Sequence, residues 1–255
     1  MCGIIGYIGK SEPIKFLIDG LKNLEYRGYD SAGIALKGEK KLQVIKSVGK
    51  IACLEEKIKN SDLINSNIGI AHTRWATHGE VSDINAHPHT IGKVTLVHNG
   101  IIENASILKK QLEDEGVVFR SNTDTEVIAA LINKYLEGDV LLAIEKAIKE
   151  LKGSYALAIL VEGIDKVFAI RKDSPLIIAL ADDGYFIASD IAAIISHTNK
   201  YFLLEENEIV SLAFDTVEVV KDGNKIQKEI LETDIKAEDK DKCGYEHYML
   251  KEIME

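Results

Sequence analysis

Cysteine is scarce in this chain of 255 residues: only Cys2, Cys53 and Cys243 occur, odd in number and far apart. That spacing excludes a disulfide framework and points to a reducing, cytoplasmic location. No apolar run approaches the roughly 20 residues that a membrane-crossing helix needs. The first residues also lack the basic region and long apolar stretch of a signal peptide. Positive charge is in deficit, 31 Lys and Arg against 41 Asp and Glu, and the formal net charge is −10. Such a surface argues against nucleic acid or an anionic membrane as partner, while a small anionic substrate needs only one well-placed arginine. No internal repeat or low-complexity segment is present. Gly3, Gly6 and Gly9 do not follow G-x-G-x-x-G spacing and no strand precedes them, which excludes a dinucleotide site.

What is present is an ordinary globular composition, 46% hydrophobic and 28% charged, with material for a substantial core. Strand-like runs at 3–8, 32–36, 42–47, 68–73 and 93–98 interleave with helical periodicity at 13–24 and 51–59. Pro13 sits in the first turn of the 13–24 helix, where its missing N–H costs nothing. Helical spacing dominates at 105–115, 125–135 and 140–149. Strands return at 154–161, 167–171, 176–181, 186–188, 209–213, 216–220 and 225–230. Turns such as Asp222-Gly223-Asn224 join neighbouring strands as hairpins. Hairpins outnumber βαβ crossovers, so the pattern predicts antiparallel sheets with packed helices. Residues 232–255 are dense in Lys, Asp and Glu without a core face and read as a charged linker following one domain at 2–231.

Cys2 follows the initiator Met1. Aminopeptidases remove Met before a small side chain, which leaves a thiol and a free α-amine on one residue. An N-terminal amine can serve as base for its own side chain. Its ordinary pKa of roughly 7.7–8.0 lies close to the thiol's value of about 8.5, so the proton moves either way near neutrality.

Three further places could carry chemistry. Arg74, in Ala71-His72-Thr73-Arg74-Trp75-Ala76-Thr77-His78-Gly79, is either a surface partner of Trp75 or a bidentate clamp for a carboxylate. Asn99-Gly100 follows a strand and reads either as a tight turn or as an oxyanion hole, a side-chain amide donor beside an unshielded backbone N–H. Asp124 lies between Thr123 and Glu126, a capping-box pattern, and is either a first-turn acid or the partner of a substrate ammonium. Five histidines crowd between His72 and His98, but Pro88 splits His87 from His89 and no Cys-x-x-Cys accompanies them. No metal and no cofactor are expected; hydrogen bonding is the duty assigned to these rings.

Taken together, Cys2-Gly3-Ile4-Ile5-Gly6 and Leu24-Glu25-Tyr26-Arg27-Gly28-Tyr29-Asp30-Ser31-Ala32-Gly33 resemble the class II glutamine amidotransferases. So do His72 to Gly79, His98-Asn99-Gly100-Ile101-Ile102-Glu103-Asn104, Thr123-Asp124-Thr125-Glu126 and His247-Tyr248-Met249-Leu250-Lys251-Glu252-Ile253. Within that class they look like the branch that aminates fructose 6-phosphate. The resemblance implies an α+β fold, the four-layer αββα sandwich of two antiparallel sheets found in N-terminal-nucleophile hydrolases. It implies hydrolysis of L-glutamine to glutamate and ammonia through a Cys2 thioester, with Asn99 and Gly100 holding the oxyanion and Arg27 orienting the N-terminus. Arg74 and Asp124 would bind the α-carboxylate and α-ammonium, and Trp75, Thr77 and His78 would line the site. The expected partner within a longer protein is a sugar-phosphate isomerase domain that lies outside this chain, and the full-length protein could be a homodimer. Val81 departs from the family's usual Pro at that place, which bears on loop stiffness and touches no chemical role. Two alternatives stay open: the glutaminase half of another class II amidotransferase, and a glutamine- or metal-binding module without turnover.

Overall fold

The computed structural model describes residues 2–39, 41–76 and 79–234. The first half of the chain runs β1 (Gly3–Gly9), α1 (Pro13–Leu24), β2 (Ser31–Lys37), β3 (Leu42–Val48), α2 (Ile51–Lys59) and β4 (Ile68–Arg74). It continues through β5 (His89–Ile91), β6 (Val94–Ile102), α3 (Ala105–Asp114), α4 (Thr125–Lys134) and α5 (Val140–Glu150). The second half is nearly all strand: β7 (Gly153–Val161), β8 (Val167–Lys172), β9 (Ile177–Ala181), β10 (Gly184–Ala188) and β11 (Lys200–Leu203). β12 (Ile209–Leu212), β13 (Val217–Lys221), β14 (Asn224–Ile226) and β15 (Leu231–Glu232) complete it.

The strands form two antiparallel sheets. One has eight strands in the order β15-β11-β9-β10-β1-β4-β2-β3, the other seven in the order β14-β13-β12-β8-β7-β6-β5. β1 lies inside the first sheet between β10 and β4, and all seven of its residues are buried. A strand covered on both faces needs apolar or small residues throughout, which Gly-Ile-Ile-Gly-Tyr-Ile-Gly supplies. Side-chain alternation then sorts the layers. Ile4 and Ile8 of β1, Ile68 and Ile70 of β4 and Val97 of β6 point into the core between the sheets. Ile5 and Tyr7 face α1 and α2 on one outside. Leu96 and Ile102 of β6 face α3, α4 and α5 on the other. The result is the four-layer αββα sandwich. Among the described residues no helix is long and apolar enough to cross a membrane.

The structure departs from the sequence reading in several places. Asn99-Gly100 is not a turn: β6 continues to Ile102, and its ladder with β7 pairs Asn99 with Ala156 and Gly100 with Tyr155. Gly100 makes this possible, because its φ is 137° and a Cβ there would stand 2.1 Å from the Ser154 carbonyl oxygen. The Thr123–Glu126 capping box does not form. Asp124 occupies the N-cap of α4, and Glu126 instead accepts from the Arg120 and Ser121 N–H groups at 3.0 and 2.7 Å. Strands β5, β11 and β15 have no counterpart in the sequence reading. β15 pairs Leu231 and Glu232 with β11, so sheet pairing extends one residue into the segment expected as linker. Residues 235–255 lie outside the described residues.

Candidate active site

The alternation that builds the inter-sheet core also assembles the site. Gly3 pairs with Thr73, so Cys2 stands one position further along the ladder, beside Arg74. Cys2 and Arg74 share the parity of Ile4 and Ile70, and Asn99 shares that of Val97; all three belong to the inter-sheet side, at one end of the core. The two sheets meet there through Asn99, whose Nδ2 donates to the Cys2 carbonyl oxygen at 3.0 Å.

The Cys2 thiol is half-buried and held by main chain. The Trp75 N–H donates to Sγ at 3.2 Å, and the thiol faces the Trp75 carbonyl oxygen at 3.6 Å. Burial pushes the thiol pKa up, against the lowering influence of the Trp75 contact and the Arg74 charge. A thiol held protonated in this way needs a base before it can attack.

The backbone of residues 74–76 is fixed from the Tyr26–Gly33 segment. Asp30 accepts from the Ala76 N–H at 2.8 Å, its own N–H donates to the Arg74 carbonyl at 3.1 Å, and the Thr73 hydroxyl donates to the Gly28 carbonyl. Gly28 is required by close approach: a Cβ would lie 2.8 Å from the Arg74 carbonyl carbon and 3.0 Å from the Trp75 nitrogen. Arg27 pairs with Asp190 and donates from Nε to the Tyr26 hydroxyl at 2.7 Å. Next to Asp190, Ser189 accepts the Ile4 N–H on Oγ at 2.9 Å and returns its own N–H to the Ile4 carbonyl at 3.1 Å. Arg27 thus reaches β1 through Asp190 and Ser189.

Arg74 is buried, 4% exposed. Its guanidinium reaches the carbonyls of Gly79 and Glu80 at 3.4 Å. Burial pulls its pKa down, and the charges of Cys2, Asp30 and Asp124 hold it up. The Trp75 indole is 44% exposed and meets Tyr29 edge-on, ring centres 5.6 Å apart. Asp124 accepts the Ile102 N–H on Oδ2 at 2.8 Å, while Oδ1 stands 3.9 Å from His98 Nδ1. Thr77 and His78 lie outside the described residues.

Four of the clustered histidines are buried around this corner: His72, His87, His89 and His98. His72 stacks on His87 with ring centres 4.2 Å apart, and His87 meets His89 edge-on at 4.8 Å. Thr125 Oγ1 sits between His87 Nε2 at 2.8 Å and His98 Nδ1 at 3.1 Å. Burial lowers the pKa of all four, His72 to about 3, so the rings are neutral. Among the described residues no three His, Cys, Asp or Glu side chains converge as a metal site.

Among the candidate residues the structure brings Cys2, Arg74, Trp75 and Asn99 together, with the Asp124 charge acting on Arg74. Sequence reasoning gave no role to Asp30 and only a general hydrogen-bonding one to His72. The available signal for His72 was a polar residue on the inward parity of an otherwise apolar strand, two positions before Arg74.

A family model described as a glutamine amidotransferase domain matches residues 72–196. A Clostridium tetani protein named glutamine--fructose-6-phosphate aminotransferase [isomerizing] is 49% identical over this whole chain, which covers 42% of that protein. A Thermus thermophilus protein of the same name is 44% identical with the same coverage. The chain thus spans about two fifths of the length of the curated relatives it matches. Among solved structures, the glutamine phosphoribosylpyrophosphate amidotransferase from B. subtilis superposes with a TM-score of 0.75 at 29% identity. That match covers 86% of this chain and 49% of the other. A structure described as the allosteric regulatory enzyme of purine biosynthesis gives a TM-score of 0.78, also at 29% identity.

Proposed function

This chain belongs to the glutamine amidotransferase family, and on that footing we propose that Cys2 hydrolyses the side-chain amide of L-glutamine, with residues 2–231 as the glutaminase domain. The observation that carries the reading is convergence on Cys2: the Trp75 N–H on Sγ, the Asn99 amide on the Cys2 carbonyl, and the buried Arg74 at the adjacent ladder position. Once Met1 is removed, the α-amine takes the thiol proton and Sγ attacks the amide carbon. A carbon–sulfur bond forms and the carbonyl electrons move to oxygen. The second N–H of Asn99 and the Gly100 N–H receive that oxyanion; one such donor typically contributes ~10²–10³ in rate. Collapse returns the electrons, and ammonia leaves with the proton from the α-ammonium. Water then hydrolyses the thioester to glutamate.

Arg74 binds the α-carboxylate and Asp124 the α-ammonium, which selects a free amino acid over a glutamine within a peptide. Trp75 lines the site, and Thr77 and His78 are the further substrate-binding residues of this reading. Arg27, through Asp190 and Ser189, keeps β1 and hence the N-terminus in place. The 49% identity to a fructose-6-phosphate aminotransferase favours that acceptor over phosphoribosylpyrophosphate, whose amidotransferase is 29% identical. In this reading the ammonia passes to a sugar-phosphate isomerase domain of a longer cytoplasmic protein, with residues 232–255 as the connection and a homodimer as its assembly. The test is glutamate release from L-glutamine by the chain, shown by mass to begin at Cys2. Turnover abolished by Cys2→Ala supports the reading, and a folded, processed chain without turnover overturns it.

A further inference from the structure

The side-chain amide of Asn99 has two possible orientations, and the structure contains a device that selects one. His72 Nε2 lies 3.1 Å from the His98 carbonyl oxygen and 3.0 Å from Asn99 Oδ1. A backbone carbonyl only accepts, so Nε2 must carry the hydrogen. With that hydrogen in place, the atom of Asn99 facing His72 must be its oxygen. The opposite orientation would set one donor against another at His72 and one acceptor against another at the Cys2 carbonyl.

The ring is held in turn. It stacks on His87, whose Nε2 is anchored to Thr125 Oγ1. Thr125 has one hydrogen for two histidines. His98 Nε2 faces the Ser154 carbonyl at 3.5 Å, which puts the His98 proton on Nε2 and leaves Nδ1 to accept from Thr125. His87 Nε2 then donates to Thr125. The remaining nitrogens, His72 Nδ1 and His87 Nδ1, carry no hydrogen in this assignment, and both are buried without a protein partner.

We infer that His72 is a positioning residue for catalysis: as the Nε2–H tautomer it locks the Asn99 amide with its NH₂ group toward the nucleophile. The inference rests on the assignment of Asn99 to the oxyanion hole. Burial keeps the His72 ring neutral through the working pH range, so it donates one fixed hydrogen and transfers no proton.

The test compares His72→Phe, which keeps an aromatic ring for the stack and removes the donor, with His72→Gln, whose amide restores a donor near Nε2. His72→Phe is expected to lower kcat for glutamine tenfold or more, within the ~10²–10³ that loss of an oxyanion donor costs. KM for glutamine should stay within about threefold, the pattern of an interaction made only in the transition state. Alkylation of Cys2 by iodoacetamide, which forms no oxyanion, should be unchanged, and the pH profile should not move. The γ-aldehyde analogue of glutamine, which forms a tetrahedral adduct with the thiol, should lose affinity in parallel with kcat/KM. His72→Gln should recover most of the loss.

Asn99→Ala should remove at least as much activity, and the double variant His72→Phe/Asn99→Ala should be no worse than Asn99→Ala alone. Multiplying losses, or full activity in His72→Phe, would overturn the role of His72. Full activity in Asn99→Ala would instead remove the oxyanion assignment on which it stands. If the Phe variant fails to fold, ¹⁵N NMR of the histidine-labelled parent decides: a hydrogen on His72 Nε2 supports the inference and one on Nδ1 overturns it.

Discussion

The Trp75 N–H donates to the Cys2 sulfur at 3.2 Å, so the residue after Arg74 holds the thiol by its main chain while its half-exposed indole meets Tyr29 edge-on. The position of that N–H depends on Gly28, which packs directly on the Arg74–Trp75 peptide.

Gly28→Ala should therefore disturb the site without touching a reacting group. The added methyl has no room, and a shift of about 1 Å in a catalytic constellation can cost ~10² in rate. The expected result is a fall in kcat for glutamine of about that size, together with a changed rate of iodoacetamide alkylation at Cys2.

Arg74→Lys should weaken substrate binding. The guanidinium offers a rigid fork to a carboxylate, which a single ammonium cannot reproduce. Hydrogen bonds to charged groups contribute roughly 1.5–3 kcal/mol, so KM for glutamine should rise about 10- to 100-fold. Steady-state kinetics measure it, and Asp124→Asn should act in the same direction.

Gly100→Ala combines a φ of 137° with a clash against the Ser154 carbonyl. Strain of this kind costs of order 1–3 kcal/mol, and the clash adds to it. Thermal unfolding should show a Tm lowered by several degrees, and glutaminase activity should fall with the displaced N–H.

Acid should destabilise the fold through the histidine stack. For His72, the folded ring protonates only at about pH 3 whereas an unfolded imidazole does so near 6.5. Between those values the unfolded chain binds more protons, so stability is lost as pH falls through that window, at roughly 1.4 kcal/mol per pH unit for each such ring. His87, His89 and His98 are shifted in the same direction. Denaturant midpoints measured from pH 7 to pH 4 should decline steeply, and less so in His89→Gln.

Much of this was legible in the chain. The helices 13–24 and 51–59 carry their periodicity and ends locally, and both appear with those bounds. Strands β2 and β3 fall on the runs read at 32–36 and 42–47. What could not be read depends on distant partners. β5 and β11 are three- and four-residue strands defined by the neighbours they pair with, β6 and β9. Asn99-Gly100 has local turn chemistry, yet the ladder with β7 overrides it. Asp30 reaches the backbone of Ala76 and His72 the amide of Asn99, partners far along the chain that the fold alone brings close.

The place of β1 between β4 and β10 also bears on how the protein is made. Residues 3–9 leave the ribosome well before residues 184–188, the strand that closes their second edge. At about 5–20 residues per second, roughly 10–40 s of translation separates the two. For that interval the strand beside Cys2 has at least one open edge and lacks its final neighbour, β10. Chaperone contact and premature pairing with other chains should therefore concentrate on residues 3–9, and catalytic competence should arrive late, only after residue 188 has emerged.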